Sequence, residues 1–119
     1  MAVAVVTGGA SGFGLALGDR CAATGMDVVL LDLDGSRAET EAERLASAHQ
    51  RLSTHGDATD VSDAASVEAA ATMVGEGFGA VDLLISNVGV QLFGAVERFT
   101  DDQWRWLLDV NVIGSVRLT

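Results

Sequence analysis

A short apolar run that breaks straight into glycines is the feature that most limits what this chain can become. Ala2–Val6 contains only Ala and Val, and Thr7-Gly8-Gly9-Ala10-Ser11-Gly12-Phe13-Gly14 follows it. A run that short and that apolar reads as a strand covered on both faces. Phe13–Thr24 then reads as a helix, with Leu17 and Cys21 four apart and Gly25 at its carboxyl cap. Gly8, Gly12 and Gly14 are spaced G-x-x-x-G-x-G. Glycines between a strand and a helix let the backbone turn sharply. They also open the helix N-terminus, where free N–H groups and the dipole attract a pyrophosphate. A tight strand-to-helix turn with no ligand is the competing reading, and the strand-loop-helix context favours binding. No Lys follows the glycines, so the loop is not a P-loop.

The alternation continues down the chain. Val28–Leu31 is a second apolar run, ended by Asp32-Leu33-Asp34-Gly35. A polar helix follows, with Ala38, Ala42, Leu45 and Ala46 on one face and Arg37 and Glu41 spaced to pair. Arg51–Gly56 is the weakest strand; its following helix takes Ser62 as N-cap and Ala64, Val67, Ala71 and Val74 as a stripe. Gly75–Gly79 reads as a turn, and Val81–Ser86 as strand four. Thr100-Asp101-Asp102-Gln103 is a capping box that opens the last helix. Repeated β-α units imply an α/β fold: a doubly wound parallel sheet of Rossmann type, with helices on both faces.

Asp32 closes strand two, eighteen positions after Gly14. A carboxylate there accepts the adenosine ribose hydroxyls and repels a 2′-phosphate, which favours NAD over NADP. No base in the glycine loop or directly after Asp32 reverses this. A solvated or capping turn acid is the alternative, a role that Asp34 fits better. In the last helix Trp104, Leu107, Leu108 and Asn111 fall at i, i+3, i+4 and i+7, which predicts a carboxamide on a buried stripe with Trp104 in the core and Trp106 at an interface. On the residues alone, an internally satisfied structural amide is the favoured reading of Asn111.

Composition narrows the chemistry. The net charge is −10, from 17 acids and 7 bases, which opposes nucleic-acid and anionic-membrane partners. The single cysteine, Cys21, allows no internal disulfide and reads as a small core residue. The apolar start is short and lacks a basic flank, and no run nears the roughly 18 residues of a membrane span. A soluble, cytoplasmic protein is expected, with no metal site. All seven bases are Arg, and there is no Tyr. No residue here can be a catalytic lysine or a proton-transferring phenol.

Four segments together resemble the short-chain dehydrogenases/reductases. Thr7–Gly14 resembles the family's T-G-x-x-x-G-x-G cofactor motif, and Asp60-Val61-Ser62-Asp63 its adenine-binding segment after strand three. Ser86-Asn87-Val88-Gly89 resembles its N-N-A-G motif, with Ser86 and Val88 as departures; Asp109-Val110-Asn111-Val112 resembles the segment with its catalytic Asn. The resemblance implies strand order 3-2-1-4. It assigns cofactor binding to Thr7, Gly8, Ser11, Gly12, Phe13, Gly14, Asp32, Asp60, Val61, Asn87, Val88 and Gly89, and a catalytic role to Asn111, holding a water in a proton relay. The implied activity is NAD-dependent hydride transfer between nicotinamide and a small-molecule alcohol or ketone. Family members are about twice as long, with Ser and Tyr-x-x-x-Lys in the part beyond. Residues 1–119 are therefore expected to be the dinucleotide-binding part of a single domain whose carboxy-terminal half is absent. That part is expected to be inactive and unstable alone, and homo-oligomeric at full length. A non-catalytic nucleotide-binding sensor or interaction module is the alternative.

Overall fold

The computed structural model describes residues 1–119. Four parallel strands, β1 (Val3–Thr7), β2 (Asp27–Asp32), β3 (Thr54–Ala58) and β4 (Leu83–Ile85), form one sheet in the order β3-β2-β1-β4. The expected order is the observed one. Helices α1 (Gly12–Ala23), α2 (Gly35–Ala48) and α3 (Ala64–Gly77) connect the strands. After β4 come a 3₁₀ turn (Val96–Arg98), α4 (Asp101–Leu108), a π-helical turn (Asp109–Ile113) and α5 (Gly114–Leu118).

The alternation of side chains along a strand splits the core in two. Ala4 and Val6 of β1 and Val28 and Leu30 of β2 pack against Cys21 and Ala22 of α1 and Ala38, Ala42 and Leu45 of α2. The residues between them, Val5, Val29 and Leu31, point the other way onto Ala70 and Val74 of α3. Both central strands thus lie between helices, which is why Val3–Val6 of β1 and Val28–Leu31 of β2 are apolar at every position.

Several local expectations shift. β3 starts at Thr54 rather than Arg51, because its register is set from outside: Val28 pairs with Thr54 and Asp32 with Ala58. A Cβ at Gly56 would overlap the Ala38 carbonyl, so α2 lies directly on the β3 backbone there. β4 is only three residues long. Asp63, not Ser62, caps α3, its carboxylate accepting from the Ala65 N–H at 3.0 Å, while the Ser62 hydroxyl bonds Asp60. Val67, Ala70 and Val74 are the buried face of α3; Ala64 and Ala71 are exposed. That helix also runs on through Gly75 and Gly77 before its chain turns. Arg37 makes no ion pair with Glu41; Arg44 takes Glu41 at 2.6 Å and bridges to Asp19 of α1 at 2.7 Å. Those two carboxylates raise the Arg44 pKa further. Asp34 is the α2 cap, accepting from the Arg37 N–H. The Thr100–Gln103 capping box forms as expected.

The largest correction concerns the last helix. No residue of α4 is buried: Trp104 is 39% exposed and Trp106 44%. Trp104 instead meets Phe99 edge to face at 5.8 Å. Asn111 is also exposed rather than on a buried stripe. No helix is long and apolar enough to cross a membrane.

Candidate functional site

The chain leaves β1 toward β2 on one side, and β4 lies on the other. Connections diverge at the carboxyl ends of β1 and β4, the place where open α/β sheets bind ligands. A cleft of about 460 Å³ opens there. Its walls come from the glycine loop, from Asp32 and Leu33 after β2, from Thr59–Ser62 after β3, from Asn87–Val90 after β4, and from Trp106 and Val110.

The glycine loop is shaped by close approach. Gly8 and Gly12 have φ of 63° and 57°, the left-handed region that a side chain strains to enter. A Cβ at Gly14 would collide with the Gly8 carbonyl, so the first turn of α1 sits directly on the loop. Around Gly12 a Cβ would meet nothing within 4 Å: the space lies open to the cleft. Ser11 occupies the N-cap of α1 without using its side chain as a cap. The first-turn N–H groups of α1 are therefore free of side-chain capping.

Thr7 lines no part of the cleft. It is 1% exposed, and its hydroxyl accepts from the Asn87 N–H at 3.1 Å and reaches the Ile85 carbonyl at 3.4 Å. It thereby locks the end of β1 to the turn after β4. The Asn87 side chain donates to the Gly8 carbonyl at 3.3 Å and joins the same lock. Gly14 likewise shapes the loop rather than facing the cleft. The other expected cofactor residues, Gly8, Ser11, Gly12, Phe13, Asp32, Asp60, Val61, Asn87, Val88 and Gly89, all line it.

Two acids face this space. Asp32 accepts from the Ala10 N–H and the Asp34 N–H, one bond of 3.0 Å to each oxygen. Each oxygen keeps a further lone pair. One Asp60 oxygen accepts from both the N–H and the hydroxyl of Ser62. No lining residue is basic. No group of three or more His, Cys, Asp or Glu is placed to hold a metal.

Asn111 stands behind the loop after β4. Its Oδ1 accepts from the Val90 N–H and its Nδ2 donates to the Val90 carbonyl, both at 2.8 Å. This pair fixes the loop backbone and leaves one N–H and one lone pair for a water. The π turn Asp109–Ile113 carries it; such turns occur mostly as single-turn bulges inside α-helices, frequently at functional sites.

The sequence reading missed Leu33, Thr59, Ser62, Val90, Trp106 and Val110 as lining residues. All but Trp106 neighbour a motif position, which was the available signal. Thr59 stands out: its residue is 5% exposed and its Oγ1 is buried without a hydrogen-bond partner. A buried orphan hydroxyl beside a cleft fits a site shaped for a ligand. Together with the open space at Gly12 and the uncapped α1 terminus, it shows that these residues suit a dinucleotide.

Fold and cleft define a nucleotide-binding α/β protein of the doubly wound class. The family model for short chain dehydrogenases matches residues 2–119, and the chain belongs to that family. It is 38% identical over 113 residues to D-threitol dehydrogenase of Mycolicibacterium smegmatis, covering 95% of this chain and 43% of that one. A short chain dehydrogenase/reductase from Burkholderia phymatum, solved in complex with NAD, superposes with a TM-score of 0.91 at 38% identity, covering 98% of this chain and 41% of that one. An alcohol dehydrogenase from Thermococcus sibiricus, complexed with 5-hydroxy-NADP, gives 0.93 at 32% identity, covering 99% and 50%. The chain thus spans about two-fifths to one-half of the relatives it matches. The alternative of a non-catalytic binding module finds no support in these relatives.

Proposed function

We propose that residues 1–119 are the dinucleotide-binding part of a single catalytic domain, in an NAD-dependent oxidoreductase acting on small alcohols or ketones. The observation that carries this reading is the meeting, in one cleft, of the open Gly12 turn with the Asp32 carboxylate. In this reading Gly8, Ser11, Gly12 and Phe13 at the α1 N-terminus hold the pyrophosphate by backbone N–H groups and the helix dipole. The spare lone pairs of Asp32 accept the adenosine ribose hydroxyls. Asp60 and Val61 receive the adenine, and Asn87, Val88 and Gly89 border the nicotinamide half. Thr7 and Gly14 serve by holding the loop in shape.

Discrimination against NADP rests on charge. A 2′-phosphate beside Asp32 would bring like charges together in a cleft whose lining contains no base. The relatives bind either cofactor, so this preference comes from the chain's own residues. When bound, the nicotinamide ring supplies or accepts the hydride. Asn111 holds the Val90 backbone and, with its remaining N–H, a water for proton transfer. Residues 1–119 contain neither Tyr nor Lys. The phenol that moves the proton must therefore come from elsewhere, and this part alone turns nothing over.

The name of the Mycolicibacterium relative supports a polyhydroxylated alcohol as the first substrate to try. The test follows NADH formation by the full-length protein over a panel of diols, longer polyols and simple secondary alcohols. Turnover of at least one alcohol, lost on Asp32→Ala at limiting NAD, is expected. NAD binding without turnover of any alcohol or ketone would refute the catalytic reading and favour the binding module.

A further inference from the structure

One helical rod, from α4 through the π turn to α5, holds two walls of the cleft. Asn111 grips Val90 after β4. Gly114, three residues on, lies against Val61 after β3, where an added Cβ would come within 3.0 Å of Val61 Cγ2. A further three residues on, Arg117 sends one arm of its guanidinium to the Val61 carbonyl at 3.0 Å. Its other arm meets the Asp109 carboxylate at 2.8 Å, at the first residue of the π turn. Arg117 is half-buried and Val61 is 4% exposed.

We propose that Arg117 is a positioning residue for the nucleotide, fixing the Val61 wall of the cleft to the turn that carries Asn111. The inference rests on the nucleotide reading above and adds a residue outside the cleft lining. A planar guanidinium can serve a carbonyl and a carboxylate at once in fixed directions, which an ammonium does poorly. Without it, the carbonyl of a buried residue loses a charged partner, and the wall relaxes to recover one. That wall is continuous with the ribose acid, since the Thr59 N–H donates to the Asp32 carbonyl at 2.8 Å. Slack at Val61 therefore reaches the adenosine end of the cleft, while the pyrophosphate loop is left untouched.

The test is calorimetric titration of the full-length protein with NAD and with AMP, which occupies the adenosine end alone. Arg117→Leu is expected to weaken both about fivefold, the net worth of roughly one hydrogen bond. Arg117→Lys, which keeps the charge but not the fork, should fall between. Arg44 is the control: it also bonds two groups, Glu41 and Asp19, but on the outer face of α1 and α2. Arg44→Leu should leave both affinities within twofold. If Arg117→Leu does not fold, Asp109→Asn removes the charge that aims the guanidinium and carries the same expected loss of AMP affinity. Unchanged NAD and AMP binding in the Arg117 or Asp109 variant overturns the proposal alone, as does an equal loss in Arg44→Leu. An unmodified protein that binds none of NAD, NADP and AMP overturns the nucleotide reading and this inference with it.

Discussion

Replacing Gly14 by Ala tests whether the glycine loop is held by contact or merely permits a turn. Within a helix, Ala is favoured over Gly by about 1 kcal/mol, so propensity alone predicts stabilisation. The structure predicts the reverse. The new methyl would overlap the Gly8 carbonyl and lie 2.7 Å from Asn87 Nδ2 and 2.8 Å from the Gly8 carbonyl carbon. Gly8 cannot yield cheaply, because it is backbone at positive φ and is tied to β4 through Asn87. Overpacking of this kind costs about 1–3 kcal/mol, at the upper end when the obstacle is backbone. The difference is a net loss of about 1–2 kcal/mol, or roughly 2–8 °C in Tm for a full-length protein about twice this size. Gly75→Ala supplies the contrast. It lies in α3 with nothing within 4 Å of the added Cβ, so the same substitution should stabilise by about 0.5–1 kcal/mol. Thermal denaturation of both variants of the full-length protein, followed by circular dichroism, checks the pair. Equal or higher Tm for Gly14→Ala would refute the close-packed loop.

Cys21 is 7% exposed, and burial raises its thiol pKa. Iodoacetamide should leave it unmodified at pH 8 until the protein unfolds. Because the folded thiol ionises later than the unfolded one, its stability contribution is intact below the ordinary thiol pKa and lost as pH rises through the folded value; Cys21→Ala should flatten that alkaline slope, and an unchanged slope would count against it. Asn111→Ala removes both bonds to the Val90 backbone. It should lower kcat of the full-length protein at least tenfold while moving Tm by only a few degrees, since the site is exposed; unaltered turnover would dismiss a catalytic role.

What could be read from the sequence was whatever is local. The Thr7–Gly14 loop, the acid after β2 and the Thr100–Gln103 cap each need only a few consecutive residues, and each forms where expected. The two apolar strands declare their burial because both faces are covered. What failed was whatever depends on a distant surface. The spacing of Trp104, Leu107, Leu108 and Asn111 shows which residues share a helix face, but not whether anything covers it. The π turn, which widens the helix at Asp109–Ile113, leaves no mark in that spacing. β3 was misplaced because polar Thr54–Ala58 carries no alternation; its position is set by Gly56 under the Ala38 carbonyl, a contact between residues 18 apart. Arg117 and Thr59 belong to the same class. Nothing near either residue in the chain announces that one spans two cleft elements and the other hides an unbonded hydroxyl.

The proposed role of Asp32 in choosing NAD over NADP is checked by parallel titration of the full-length protein with both cofactors, repeated with Asp32→Ala. NAD is expected to bind at least tenfold more tightly than NADP, a difference of about 1.4 kcal/mol, and the gap should narrow in the variant. Tighter binding of NADP by the unmodified protein would contradict it.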